Sequence, residues 1–129
     1  MRLAHRSASV KADEVDYICA HGTGTPTNDA VEVRAARQVF GARLPPMSSI
    51  KSMLGHTMGA ASGFGAIASA LAIEQGFLPP TINWANADPD LGDLDPVPNV
   101  ARPAQLRVVQ NNGFAFGGNN AITMLGAVA

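Results

Sequence analysis

The sequence has little of several residue types and features that would assign a function quickly. Of its 129 residues, one is a cysteine and 5% are aromatic. A single cysteine excludes an intrachain disulfide framework and a zinc module with several cysteine ligands. It is compatible with a reducing compartment, so we expect a cytoplasmic protein.

Charge is also scarce, and it is balanced. Charged residues make up 15% of the chain, and nine Lys and Arg oppose ten Asp and Glu for a formal net charge of −1. No basic run or basic face with aromatic residues is present, so we expect no nucleic-acid partner. The 47% hydrophobic content favours a chain that buries a core, and residues 1–129 fit one domain.

Long hydrophobic runs are missing as well. The first six residues lack the apolar stretch of a secretory signal. The most apolar segment, residues 58–73, is shorter than the ~20 residues of a membrane-spanning helix and contains interrupting serines and glycines. We therefore expect no membrane association and predict a protein-buried helix over residues 57–75.

The first half of the chain shows two strand–loop–helix patterns. Residues 15–20 are prone to form a strand, and a glycine-rich loop follows them. A helix is predicted over residues 30–40, capped by Asn28 or Asp29 and ended by Gly41. A second short strand over residues 46–50 leads through another loop to the apolar helix.

The second half is predicted to be less regular. Residues 77–103 are rich in Pro, Asp and Asn and predict a long ordered excursion. Strands are predicted over residues 106–110 and 120–128, with a loop between them. The whole pattern is α/β. The apolar helix has small or apolar residues on every side, so a two-layer unit would leave one of its faces bare and the chain looks like part of something larger.

Candidate functional side chains lie on the three loops that follow predicted strands, where α/β folds often place ligands. Histidine titrates near neutrality and can donate, accept or transfer a proton. His56 precedes the long helix, whose dipole disfavours the imidazolium, so a neutral ring could donate to a developing oxyanion. The loops carry His21, Thr23 and Thr25; Lys51 and His56; and Asn111, Asn112, Gly117 and Gly118.

Structural interpretations compete with these. A lone histidine in a loop is more often a structural hydrogen-bonding group, and His5 is expected at the surface. A zinc site from Cys19, His21 and His56 has no familiar ligand spacing, so no metal is expected. A Cys19–His21 nucleophile pair has little geometric freedom on one strand, and a buried cysteine is commonly inert. Lys51 is either a surface lysine or part of a buried ion pair.

Four segments together resemble the β-ketoacyl synthases, over about residues 15–125. The first is Ala-His-Gly-Thr-Gly-Thr-Pro at residues 20–26, with Asp29 and Glu32. The second is residues 49–56 with Gly-Ala-Ala at 59–61, which resembles the lysine and second histidine motif of that family. Residues 79–83 and 114–120 match later landmarks in the same order.

The resemblance implies a thiolase-like fold, in which two α/β halves stack as α-β-α-β-α layers. The chain resembles the second half only, incomplete at its start, so residues 1–129 would be a ketosynthase C-terminal domain. The family's nucleophilic cysteine belongs to the first half. Cys19 lies where the family often has Asn and is not its counterpart.

The resemblance also implies roles for the residues of the first two motifs. His21 and His56 would flank the reacting thioester, polarise the malonyl group during decarboxylation and stabilise the enolate. Lys51 would orient the site through an ion pair, with Glu32 as its partner. Asp29 and Glu32 would support the site.

Further residues are assigned to substrate binding on the same grounds. Thr23 and Thr25 would bind the phosphopantetheine arm of an acyl carrier protein. Phe116 would be a gating aromatic residue whose N–H forms half of an oxyanion hole, and Gly117 would lie beside it. No cofactor is implied, because the phosphopantetheine belongs to the substrate.

The implied activity is a decarboxylative Claisen condensation of carrier-bound acyl and malonyl thioesters in fatty acid or polyketide synthesis. The implied partners are the N-terminal half or a partner subunit, an acyl carrier protein and a second copy of the complete enzyme. The alternatives are a non-catalytic chain-length-factor-like or carrier-docking subunit, and a small hydrolase built on Cys19 and His21. Gly65 departs from the Glu of many fatty-acid members, Ala115 from a common Gly and Asn119 from a common Thr, while residues 54–62 are closer to discrete polyketide-type synthases.

Overall fold

The computed structural model describes residues 1–128 as a four-stranded sheet with a helix on each face. The helices are α1 (Arg2–Ala8), α2 (Pro26–Phe40), α3 (Lys51–Leu54) and α4 (Ala61–Gln75). The strands are β1 (Tyr17–Cys19), β2 (Met47–Ser48), β3 (Phe77–Leu78), β4 (Arg102–Pro103), β5 (Val108–Gly113) and β6 (Ala121–Gly126).

The main sheet has the order β2-β1-β5-β6. Its first three strands are parallel, and β6 runs antiparallel to β5. Ile18 of β1 lies opposite Met47 of β2, and Tyr17 lies opposite Val109 of β5. Because the carboxyl ends of parallel strands meet at one edge, the loops after β1, β2 and β5 come together there. The α/β prediction is confirmed.

Alternating side chains of β1 divide the core into two layers. Tyr17 and Cys19 pack with Ala72 of α4, on one face of the sheet. Ile18 packs with Val33 of α2, on the other. The short pair β3–β4 forms a separate two-stranded sheet within the predicted excursion.

The start of α2 differs from the prediction. The helix begins at Pro26 rather than near residue 30, and its N-cap is Thr25, whose Oγ1 accepts from the N–H of Asn28 at 3.4 Å. Proline at the first helical position has the required φ and lacks only an N–H that would be unpaired there. Asn28 and Asp29, predicted as caps, therefore lie in the first turn.

Two predicted loops are more regular than expected. Residues 51–54 form the short helix α3. Strand β5 continues through Asn111 and Asn112 to Gly113, because β6 pairs with it along that whole length. Asn111 and Asn112 are therefore buried strand residues rather than loop residues.

Helix α4 has one covered face and one bare face, as predicted. Its small residues Gly65 and Ser69 face the sheet and are buried. On the opposite side Phe64, Ile67 and Leu71 are 44%, 59% and 40% exposed. Within residues 1–128, no helix is long and apolar enough to cross a membrane.

Candidate active site

The loops after β1, β2 and β5 bring two histidines into contact. The rings of His21 and His56 have centroids 5.6 Å apart and are nearly perpendicular, at 84°. The ring of Phe114, which follows β5, lies 5.6 Å from that of His21. Residues separated by 93 positions therefore meet at the edge of the sheet, where the sequence predicts a site.

The main chain of His21 is held from both sides. Its N–H donates to Glu32 Oε1 at 2.8 Å, and its carbonyl accepts from Lys51 Nζ at 2.6 Å. The next N–H, of Gly22, donates to Glu32 Oε2 at 2.9 Å. Hydrogen bonds to charged groups are stronger than neutral ones, so these contacts fix the loop firmly.

Both imidazole rings accept a main-chain hydrogen bond at Nδ1. The N–H of Phe114 lies 3.4 Å from His21 Nδ1, and the N–H of Met58 lies 3.1 Å from His56 Nδ1. A neutral imidazole that accepts at Nδ1 carries its proton on Nε2. Each ring thus keeps an Nε2–H donor for a ligand.

The environment of His21 favours its neutral form. Burial, together with the nearby Lys51 ammonium and His56, lowers the pKa of His21 to about 4. Burial also lowers the pKa of Lys51 from its ordinary value. At neutral pH His21 is therefore a hydrogen-bond donor without net charge.

The predicted ion pair between Lys51 and Glu32 is wrong. Lys51 Nζ binds the carbonyl of His21, while the Glu32 carboxylate accepts from main-chain and amide N–H groups. Glu32 binds the N–H of His21 and Lys51 binds its carbonyl, so both charged groups hold the same residue without forming an ion pair with each other. Glu32 still contacts the His21 loop through the N–H groups of His21 and Gly22, and its supporting role stays a prediction.

Thr23, Thr25 and Asp29 follow His21 in the loop after β1 and in the first turn of α2. Thr23 Oγ1 and Thr25 Oγ1 are 2.9 Å apart, and Asp29 accepts from Asn28 Nδ2 at 3.0 Å. A cavity of about 270 Å³ adjoins Thr23 and Asp29, and its walls also include Gly22, Glu32, Lys51, His56, Trp84 and Leu91. The roles of the two threonines in substrate binding stay predictions.

Phe116 and Gly117 lie on the turn between β5 and β6. Phe116 is fully exposed, and Gly117 has a φ of 81°, which favours glycine. The turn follows the Phe114 that contacts His21, so it lies at the same edge of the sheet. Gating and oxyanion binding by Phe116, and the role of Gly117 beside it, stay predictions.

Cys19 is unsuited to nucleophilic chemistry. Its side chain is buried in the core beside Tyr17, and burial raises the pKa of Cys19 to about 11. A thiol, rather than the reactive thiolate, is therefore present at neutral pH. Among residues 1–128, no three His, Cys, Asp or Glu side chains are grouped closely enough to hold a metal ion.

The sequence does not predict the contacts of one group of residues behind the site. His5, expected at the surface, is buried, and its Nε2 lies 2.6 Å from Gln110 Oε1. Gln110 and Asn112 are buried on β5 and continue toward Glu32. No periodicity signals these contacts, because their partners are 80–105 residues apart in the chain.

Known proteins are similar to this chain in sequence and in architecture. Residues 1–85 match the family described as "Beta-ketoacyl synthase, C-terminal domain". Nodulation protein E of Rhizobium sp. (strain N33) is 48% identical over 124 residues, covering 95% of this chain and 31% of that protein. The 3-oxoacyl-[acyl-carrier-protein] synthase 2 of Coxiella burnetii is 46% identical over 131 residues, covering 99% and 31%.

A solved structure agrees over the full fold. The ishigamide ketosynthase/chain length factor superposes with a TM-score of 0.97 at 55% identity, covering 99% of this chain and 32% of that one. The chain thus spans about a third of the length of these relatives, and its sheet and helices are part of a thiolase-like fold. With its two histidine loops meeting as the motifs predict, the chain belongs to the β-ketoacyl synthase family.

Proposed function

We propose that this chain is the C-terminal portion of a β-ketoacyl synthase that condenses carrier-bound acyl and malonyl thioesters with loss of carbon dioxide. The observation that carries this proposal is the pair of contacting imidazoles, His21 and His56, each with Nδ1 occupied by a main-chain N–H. Two neutral Nε2–H donors side by side suit one carbonyl oxygen that becomes negative during reaction.

The proposed reaction has two steps. In the malonyl thioester, the bond between the α-carbon and its carboxylate breaks and carbon dioxide leaves. The electron pair enters the enolate, whose oxygen accepts from the two Nε2–H groups. The α-carbon then attacks the acyl thioester on a cysteine of the N-terminal half, forming a carbon–carbon bond and releasing that cysteine as thiolate. Donors placed at the enolate oxygen favour the transition state over the ground state.

The N-terminal half is the first partner we propose. It would supply the nucleophilic cysteine and cover the bare face of α4, where Phe64, Ile67 and Leu71 are exposed. Exposed apolar patches of this kind mark interaction sites in soluble proteins. We further propose that the complete enzyme is a cytoplasmic dimer that receives its substrates from an acyl carrier protein through Thr23 and Thr25.

A chain-length-factor-like subunit is the second candidate, since one structural relative is described as a ketosynthase/chain length factor. Such a subunit would need the fold without the chemistry. Both histidines and the Lys51 contact to the His21 carbonyl are in place here. Their combined geometry favours the catalytic subunit.

Reconstitution tests the proposal. This chain alone, mixed with acyl and malonyl carrier thioesters, should give no ketoacyl product and no acyl-enzyme adduct. Adding the N-terminal half should restore product, with Cys19→Ala active and an alanine at the partner's nucleophile inactive. An acyl adduct on Cys19 in mass spectra, or no product from the complete enzyme, would overturn the assignment.

Self-association tests the partner surface separately. The isolated chain should form oligomers in light scattering, and the N-terminal half should suppress them. Ile67→Glu on the bare face of α4 should weaken binding of that half. Val31→Glu is the matched control, because Val31 is similarly exposed, at 49%, but lies on α2.

A further inference from the structure

A row of buried polar side chains runs from α1 to the His21 loop. It consists of His5, Gln110, Asn112 and Glu32, which are 6%, 0%, 2% and 2% exposed. His5 Nε2 lies 2.6 Å from Gln110 Oε1, Gln110 Nε2 donates to Asn112 Oδ1 at 2.8 Å, and Asn112 Nδ2 donates to Glu32 Oε1 at 2.8 Å. We call this row the buried relay.

The relay has a fixed direction. Gln110 uses its nitrogen toward Asn112, so its oxygen must accept, and the proton of the first bond therefore sits on His5 Nε2. Every N–H then points toward Glu32. Chains aligned in this way polarise one another and strengthen the bond at the end of the chain.

Glu32 depends on its donors. Burial raises the pKa of Glu32, and the N–H groups of Gly22, Asn112, His21 and Asn28 act against that rise. Among residues 1–128 no basic side chain lies within ion-pair distance of its carboxylate. These neutral donors therefore favour the ionised form, which can accept from both His21 and Gly22, against the effect of burial.

We propose that His5, Gln110 and Asn112 are positioning residues, which keep Glu32 in the form and orientation that hold the His21 main chain in its working geometry. None of the three touches the free Nε2 side of the two imidazole rings. The inference rests on the proposed decarboxylation, and it assigns a role to α1, an element that carries no residue of the site.

Other ionisable groups lie near Glu32 as well. Asp29 is on the same helix, Lys51 is on α3, and Cys19 and His21 are at the end of β1. Strand β5 faces Glu32 with the uncharged Asn112. A charge introduced at position 112 therefore acts on Glu32 most directly.

The first test compares two substitutions of His5 in the complete synthase. His5→Leu removes the donor to Gln110 and should lower kcat for malonyl-carrier decarboxylation about tenfold with KM unchanged, since small displacements of catalytic groups are costly. His5→Gln restores an N–H donor and should return kcat to within about twofold of the parent enzyme. Equal kcat values for His5→Leu and the parent, or equal losses in both variants, would refute the relay.

The second test uses the pH profile of Asn112→Asp. At low pH, one proton shared between the introduced carboxyl group and that of Glu32 preserves the hydrogen bond between them. At high pH both groups are ionised and repel each other. We expect the kcat of this variant to fall as pH rises, in a range where the parent enzyme keeps its rate. A profile identical to that of the parent would refute the relay.

Amide hydrogen exchange supplies a measurement that does not need activity. His5→Leu should speed exchange at the N–H groups of His21 and Gly22. Tyr17→Phe is the control, because it removes a buried hydrogen bond to Ser48 at 2.7 Å without touching the relay. Equal exchange rates in both variants refute the relay, whereas absence of decarboxylation in the parent enzyme refutes the proposed function alone.

Discussion

The two histidine loops are held in place in different ways. His21 is 7% exposed and is held by Glu32 of α2, Lys51 of α3 and the N–H of Phe114 beyond β5. His56 is exposed, and its ring accepts from Met58, two residues ahead. The first histidine is thus positioned by tertiary contacts and the second by its own turn. Changes around His21 should affect stability and rate together, whereas removal of the His56 side chain should affect rate alone.

The largest effect is expected where the loops act together. His21→Ala and His56→Ala should each slow malonyl decarboxylation by the complete synthase about 10²–10³-fold, the usual cost of losing one donor at a developing oxyanion. Transfer of the acyl group to the partner's cysteine should stay measurable in both variants. The double variant should lose much less than the product of the single losses, since one oxygen is served by both rings. Near-normal decarboxylation in a single variant would assign that histidine a structural role.

Removal of the Glu32 carboxylate, which holds the His21 loop, should destabilise the folded protein, whereas removal of the His56 ring should not. Glu32→Ala leaves the N–H groups of His21 and Gly22 and the Asn112 amide without an acceptor, and each buried unpaired group costs about 1–3 kcal/mol. We expect the free energy of unfolding to fall by at least about 3 kcal/mol. His56→Ala should leave it nearly unchanged. Denaturant titration of the complete synthase would measure both, and a large loss for His56→Ala would contradict the comparison.

Two glycines, one in each histidine loop, should differ in how well they tolerate a side chain. A Cβ at Gly22 would lie 2.5 Å from Ser49 Cβ, whereas a Cβ at Gly55, before His56, meets nothing within 4 Å. Both residues have positive φ, 39° and 73°. Gly55→Ala should cost about 1 kcal/mol for backbone strain alone, and Gly22→Ala should cost about 1–3 kcal/mol more. Thermal unfolding of the two variants tests this order.

The smallest effect concerns pH. The folded state favours the neutral form of His21, whose pKa is lowered from 6.5 to about 4. Between these pH values the unfolded chain therefore binds a proton at His21 that the folded chain does not bind. The contribution of this group is present above about pH 6.5 and is lost as pH falls toward about 4. Relative to His21→Gln, the parent should lose unfolding free energy as pH falls across that range. Parallel pH curves for the two proteins would show that His21 does not titrate as described.

The sequence predicts the edge of the sheet better than it predicts the packing behind it. Glycine-punctuated loops after β-prone runs locate His21, Lys51 and His56, because parallel strands bring such loops together. The small residues of α4 correctly predict a helix with a bare outer face. These features depend on local spacing, which a single sequence records.

The errors share a different physical cause. The sequence predicts His5 at the surface and Asn111 and Asn112 in a loop, because buried polar groups are stable only with partners that the sequence does not place beside them. The family resemblance implies an ion pair between Lys51 and Glu32, yet a main-chain carbonyl binds Lys51 and main-chain N–H groups bind Glu32. The predicted start of α2 is too late because Asn28 and Asp29 are residue types that cap helices strongly. Thr25 is also a good cap, and it is the residue that precedes the helix.

The close contact between α4 and β5 has a consequence for how such a sequence can diverge. A Cβ at Gly65 would collide with Asn111 Oδ1, and a Cβ at Gly113 would collide with Ser62 Oγ. In each pair, the side chain of one residue fills the space that the glycine at the other position leaves empty. A larger residue at position 65 requires the Asn111 side chain to move or to be shortened, so we expect the two positions to change together, with a shorter residue at 111 wherever residue 65 is larger.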